Sequence, residues 1–142
     1  MKITQLNKIT DEVMSAFEYL IPQLTSNSEI PSKEDIAEII EAKNSFVFLA
    51  KEKEIIGILT LIIYKIPTGK KAWIEDVVVD SKIRGKGTGR LLVEHAIQFT
   101  KEKGISKIDL TSSPSRVAAN ILYRKMGFDL RDSNVYRLRI IK

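Results

Sequence analysis

The sequence predicts an α+β fold: a mixed central sheet of about six to seven strands flanked by about four helices. Three observations carry this. Apolar residues recur at helical spacing in four stretches. Three apolar runs, FVFLA (46–50), IIGILTLIIY (55–64) and WIEDVVV (73–79), follow one another across short charged turns, as hairpin-linked strands do. After residue 84 the pattern changes to alternating helices and strands. The element order is β α α β β β α β α β β, which places a mixed sheet under helices in a single domain, residues 1–142.

Each element has its own signals. Residues 2–6 suit a short first strand. Thr10 and Asp11 offer caps to a helix that runs to about Leu24 on Val13, Phe17, Leu20, Ile21 and Leu24. TSNSEIPS (25–32) is a loop by composition. Ser32 caps a second helix, KEDIAEIIEAK, with Asp35 in the capping-box position. KEKE and PTGKK (67–71) are turns between strands. RGKGTGR (84–90) leads into a long helix that stops near Gly104. KIDLTSS (107–113) reads as a strand, and SRVAANILYRKM (115–126) as a helix ended by Gly127. VYRLRII (135–141) alternates like a last strand, and such a strand is able to pair with a partner chain in a homodimer.

Composition excludes several classes. The 142 residues contain no cysteine, so there is no disulfide framework, thiolate metal site or cysteine nucleophile. One histidine and dispersed acids make no metal-ligand set. That histidine, His95, sits at helical spacing among Leu91, Leu92, Ala96 and Phe99 and reads as a partly packed helix residue. The start has no apolar core of signal-peptide length, and the longest greasy segment is about half a membrane span. A soluble, cytoplasmic protein with no membrane partner is the expectation. The net charge of +5 suits a polyanionic ligand. The basic residues are scattered among acidic ones, without a one-sided stripe or a run of stacking aromatics, and no nucleic-acid partner is expected.

The chemistry concentrates at RGKGTGR. Glycines let a backbone turn sharply and bring its N–H groups close to an anion. The helix that follows adds unpaired N–H groups and the positive end of its dipole. Arg84, Lys86 and Arg90 add mobile charge. Three readings stay open on these residues alone: a phosphate cradle, a degenerate dinucleotide fingerprint and a plain turn. The dinucleotide pattern needs a third glycine where Arg90 stands, although Asp109 falls at a suitable distance, and the P-loop pattern is absent.

Arg84-Gly85-Lys86-Gly87-Thr88-Gly89 resembles the R/Q-x-x-G-x-G/A loop of the GNAT superfamily of acyl-CoA-dependent N-acetyltransferases. Upstream, Ile74-Glu75-Asp76-Val77-Val78-Val79 is similar to that family's fourth strand, and in particular to the corresponding part of glucosamine-6-phosphate N-acetyltransferases. Downstream, Ala119 to Phe128 is similar to the family's helical segment with an asparagine, a tyrosine, a basic residue and Gly-Phe. These blocks span about 40% of the chain, residues 73–128.

The resemblance implies a GNAT fold and an N-acetyltransferase that uses acetyl-CoA and no metal. The acetyl group would pass directly to a primary amine, first a small-molecule amine and otherwise a protein lysine or N-terminus, in a ternary complex. A non-catalytic acyl-CoA sensor is the contrasting class. In such a site Arg84, Gly85, Lys86, Gly87, Thr88, Gly89 and Arg90 hold the pyrophosphate, and Asn120 lines the cofactor cleft. The backbone of Val77, Val78 and Val79 pairs with the pantetheine arm where the strand splays from its neighbour, often at a bulge. Glu75 is the candidate base, or else a binder of the cationic acceptor, with Asp76 a second candidate. Strand alternation places Glu75 on the face of Trp73, Val77 and Val79, and Asp76 on the other, a pattern that a bulge would reverse in part. Tyr123 is the candidate acid for the departing thiolate.

Overall fold

A computed structural model describes residues 1–26 and 29–141 and resolves into two compact units, Met1–Thr111 and Ser112–Lys142. Asn27 and Ser28, part of the expected 25–32 loop, and Lys142 lie outside the described residues.

The first unit holds a five-stranded sheet in sequence order: β1 (Lys2–Gln5), β2 (Ser45–Lys51), β3 (Ile55–Ile66), β4 (Gly69–Val79) and β5 (Ile108–Leu110). Neighbours from β1 to β4 are antiparallel, and β5 joins β4 in parallel. The sheet is therefore mixed, as expected. A parallel neighbour needs a crossover, and α3 (Thr88–Glu102) supplies it.

Helix α1 (Asp11–Leu24) starts where Thr10 Oγ1 accepts the Val13 amide at 3.1 Å. Helix α2 (Lys33–Glu41) starts at a complete capping box between Ser32 and Asp35. Both helices pack on one sheet face, in a core built from Val13, Phe17, Leu20, Ile36, Val47, Leu49, Ile58 and Val78. The opposite face carries α3. There Phe48 meets His95 and Phe99 edge-on, at 4.6 and 5.3 Å between ring centroids, so His95 is the partly packed helix residue expected. The approach of α3 is set by Gly57 on β3. A Cβ there would sit 3.0 Å from Leu92 Cδ1 and 3.3 Å from Thr88 Cγ2, so a larger residue would push the start of α3 or its side chains back by a few tenths of an ångström.

Helix α3 ends as the sequence predicts. Gly104 takes a positive φ of 74°, its amide donates to Lys101 O at 2.9 Å, and the Ile105 amide reaches back to Thr100 O at 3.3 Å. These are the paired bonds of a left-handed glycine cap.

The second unit contains α4 (Val117–Lys125). Two sequence expectations change here. The sheet has five strands, not six to seven, and residues 135–141 form no strand. Val135, Tyr136, Leu138, Ile140 and Ile141 are exposed, Ile141 at 90%. Alternation describes which side chains could share a face. A segment becomes a strand only when a neighbour takes up its N–H and C=O groups, and residues 135–141 join no ladder among the described residues.

Candidate functional site

The site begins at an irregularity in β4. Ile58 pairs with Val78 and Thr60 with Glu75, so Asp76 and Val77 together oppose the single residue Leu59. This is a β-bulge whose first residue takes a left-handed conformation, and Asp76 has φ 49°, the only positive φ outside glycine among the described residues. Aspartate is among the few L-residues that tolerate this region. The bulge changes which side chains share a face. Cross-strand partners point the same way, so Glu75 lies on the α1/α2 face with Trp73, Thr60, Ile58 and Val78. The expected companionship of Glu75 with Val77 and Val79 is thus corrected: the extra residue shifts the alternation by one.

The bulge coincides with an opening in the sheet. The β4–β5 ladder runs from Ala72–Ile108 to Ile74–Leu110 and stops. From Glu75 to Val79, β4 continues with a neighbour only on the β3 side among the described residues. Its other edge, which includes Val77, Val78 and Val79, joins no ladder among the described residues.

Just beyond this edge the chain makes a single 3-10 turn, Ser81–Ile83, and then the glycine loop. Asp80, 8% exposed, anchors the turn: its Oδ1 accepts from the Lys82 amide and from the Tyr19 hydroxyl, both at 3.1 Å. One turn along α1, Gln23 Oε1 accepts from the Ser81 amide at 2.8 Å. Helix α1 therefore grips the segment that aims the loop. Sequence reading missed Tyr19, Gln23 and Asp80. An aspartate two residues before a backbone amide, directly after a strand, is a turn-capping signal that could have revealed one of the three.

The loop has the form of an anion cradle. Gly85 and Gly87 have φ of 89° and 82°, and a Cβ on either would point into open space. Gly87 is the N-cap of α3 and provides no side-chain cap, so the first amides of that helix are left to an outside acceptor. Thr88 is 2% exposed, and its Oγ1 is buried without a hydrogen-bond partner among the described residues. An orphaned buried hydroxyl at a helix N-terminus, beside left-handed glycines and exposed Arg84 and Lys86, fits a diphosphate. Arg90 is exposed too, and its Nε donates to Glu94 at 2.9 Å.

On the α1/α2 face, beside the bulge, lies a cavity of about 250 Å³. Phe17, Ile21, Val47 and Ile58 give it an apolar lining, and Glu29 and Asp76 are its acidic residues. Glu75 is exposed next to Asp76 and does not line it.

In the second unit, Asn120 spends both amide hydrogens locally, on Ser113 O at 2.9 Å and Arg116 O at 2.7 Å, closing the start of α4. Tyr123 is held by the end of that helix. Gly127, φ 98°, donates to Arg124 O, and the Phe128 amide donates to Tyr123 O at 3.0 Å. This cap turns the Phe128 ring onto the Tyr123 ring, 5.8 Å between centroids and near perpendicular. The Gly-Phe pair in the sequence is thus the device that fixes the tyrosine. Burial pushes the Tyr123 phenol above its usual range, against the opposing pull of the Arg116 cation.

Known proteins are similar to this chain in sequence and fold. A streptothricin acetyltransferase of Streptomyces lavendulae is 42% identical over 55 residues, 39% of this chain and 29% of that protein. A glucosamine 6-phosphate N-acetyltransferase of Arabidopsis thaliana is 42% identical over 59 residues, 42% of this chain and 38% of that one. The match spans less than half the length of either relative. Among solved structures, an aminoglycoside acetyltransferase from an uncultured soil metagenomic sample, in complex with sisomicin, superposes with a TM-score of 0.81 at 25% identity, over 99% of this chain and 96% of that one. The sequence also matches the acetyltransferase (GNAT) family over residues 7–128, from α1 through the Gly-Phe cap of α4. The chain belongs to that family.

Proposed function

We propose that the protein is an N-acetyltransferase that moves the acetyl group of acetyl-CoA to a primary amine of a small molecule, with residues 1–142 acting as one domain. The observation that carries this is the continuity of an open strand edge with an anion cradle, from Val77 to Arg90, within one unit. Family membership and the small-molecule acetyltransferases among the relatives support it.

Acetyl-CoA supplies the thioester whose carbon–sulfur bond breaks as the new carbon–nitrogen bond forms. The loop residues Arg84, Gly85, Lys86, Gly87, Thr88, Gly89 and Arg90 bind its diphosphate through amides, the Thr88 hydroxyl and mobile cations. The free edge of Val77, Val78 and Val79 orients the pantetheine arm as a neighbouring strand would. Asn120, which holds the start of α4, is a further cofactor-binding residue in this reading. Glu75, exposed beside the bulge, takes the proton that the ammonium must lose before its lone pair can attack. Tyr123 keeps its own proton at neutral pH and offers it to the sulfur that leaves. No step calls on a metal. The same reading makes the enzyme cytoplasmic and leaves the exposed 135–141 segment to a second copy in a homodimer.

The test is a panel of amines with acetyl-CoA, followed by thiol release and by mass spectrometry of the acetylated product, for the wild type and Glu75→Gln across pH. Product should form with at least one amine. The variant should lose kcat, and the loss should shrink as rising pH deprotonates the free amine without help. A raised KM with kcat intact would instead assign Glu75 to acceptor binding, because ground state and transition state lose the same contact. Acetyl-CoA binding without product from any amine would favour a sensor.

A further inference from the structure

The cavity beside the bulge has a chemistry of its own. Its floor is formed by residues that are almost wholly shielded: Phe17 at 4% exposure, Val47 at 4% and Ile58 at 3%. Its charged lining residues, Glu29 and Asp76, are exposed and so stand at the mouth. No lysine, arginine or histidine lines it among the described residues. The walls therefore reward an apolar body below and a positive charge above, and penalise an anion, which would meet two carboxylates and no cation. Its volume of about 250 Å³ gives room for a ring on a short arm.

Asp76 is the residue that joins this cavity to the transfer site. It lines the cavity while its backbone forms the bulge, and β4 lacks a neighbour on its β5 side from the residue before it onward. A positive φ at a non-glycine residue stores strain, and such strain persists where the surrounding structure over-determines it. Here the residue that carries it lines the cavity beside the open edge. Glu75, one residue away and outside the cavity lining, is then left to handle the proton.

From this we infer that the acceptor is a compact apolar amine, an arylalkyl or branched alkyl ammonium, whose positive charge is held by the Asp76 carboxylate and whose apolar body occupies the cavity between α1, α2 and strands β2–β3. This rests on the acetyltransferase reading and narrows it. It sets the protein apart from the sugar phosphates and polyhydroxylated amines that its relatives' names record, despite the similarity of the surrounding strand and loop. Asp76 acts as a specificity-determining residue: it selects and positions the ammonium, and the proton passes to another group.

The experiment measures binding before it measures turnover. Phenethylamine, 2-phenylethanol and glucosamine 6-phosphate are titrated into the whole protein by calorimetry, with amide and methyl chemical shifts of Val47, Ile58, Thr60 and Asp76 followed by NMR. Phenethylamine should bind with shifts at those residues, and the uncharged alcohol should bind about tenfold more weakly, the loss expected for one charge-assisted contact. Asp76→Asn retains the left-handed preference and so the bulge. It should weaken phenethylamine about tenfold and leave the alcohol unchanged. Asp76→Gly, which is also free to adopt the bulge conformation, should match it. Equal binding of amine and alcohol, tighter binding of glucosamine 6-phosphate, or shifts that avoid the cavity would each overturn the inference. Thiol release with acetyl-CoA then separates the two levels. If phenethylamine binds as described and neither it nor any other amine is acetylated, the transfer reading fails and the cavity stands; if it binds and only other amines are acetylated, its assignment as the acceptor fails. If other amines are acetylated while phenethylamine does not bind, the cavity inference alone fails.

Discussion

Tyr123 shows how much one side chain depends on its immediate surroundings. Its phenol is pushed up by burial, with Arg116 opposing, so it stays protonated through the neutral and mildly alkaline range. The proposed role, proton donor to a leaving sulfur, calls for a group that holds its proton at neutral pH. Tyr123→Phe keeps the ring against Phe128 and removes the hydroxyl alone. It should lower kcat by about ten- to a thousandfold with little change in acetyl-CoA affinity. Stability gives an independent reading. The folded value lies above the unfolded one, near ~10, so the fold favours the neutral phenol. That contribution is complete below the unfolded value and is lost as pH rises through the folded value. Urea midpoints at about pH 9 and about pH 11 should therefore fall further for the wild type than for Tyr123→Phe. Identical losses would show that the hydroxyl is not buried in solution. The tyrosine itself was legible in the sequence. The shift was not, because desolvation depends on which groups cover the ring.

Two elements end in the same way, and both endings are written in the chain. Gly104 and Gly127 follow the last apolar turn of α3 and α4, and each adopts a left-handed φ that closes two backbone bonds. At α4 the cap does more than stop a helix, because the residue after the glycine carries the ring that meets Tyr123. A Cβ on Gly127 would touch nothing within 4 Å, so Gly127→Ala tests conformation alone. It should cost about 1–2 kcal/mol, the penalty of a left-handed L-residue, and it should reduce kcat because the Phe128 contact is released. Denaturant midpoints together with kcat check this: a stability loss with kcat untouched would remove the cap from the catalytic account. In β4 the opposite holds. The run W-I-E-D-V-V-V reads as an even alternation, and nothing local announces that Asp76 and Val77 share one partner. The bulge arises from β3 and β4 pairing on both sides of it in registers that differ by one residue.

At the scale of the molecule, the sheet of the first unit separates two kinds of work. Its α1/α2 face carries the acidic, apolar cavity, and the start of α3, drawn against the sheet at Gly57, carries the cradle. Helix α1 serves both, lining the cavity with Phe17 and Ile21 and holding the approach to the loop through Tyr19 and Gln23. A ligand that binds only the folded cradle stabilises the whole fold by mass action. At about a hundredfold excess over Kd, acetyl-CoA should raise Tm by roughly 5–15 °C. Gly87→Val forces a β-branched residue into a left-handed cap and fills the space above the amides. It should abolish the rise, whatever its effect on the unliganded protein. An equal rise in wild type and variant would place the cofactor elsewhere.

Periodicity and capping residues are local, and so the helices, the first four strands and the anion loop could be read from the chain alone, while the turn expected at 67–71 is shorter because Gly69, Lys70 and Lys71 already pair in β4. The loop and the I-E-D-V-V-V and Gly-Phe blocks also carried the family, since each is contiguous in sequence. The strand count could not be read this way. Residues 135–141 have the right alternation, but hydrogen-bond partners come from another part of the chain or from another molecule. The same holds for the face that Glu75 occupies, for the cavity that Asp76 enters, and for the grip of α1 on Asp80 and Ser81. Each of these depends on groups distant in sequence meeting at one place. Their geometry follows from strand register and helix packing, which only the assembled tertiary structure decides.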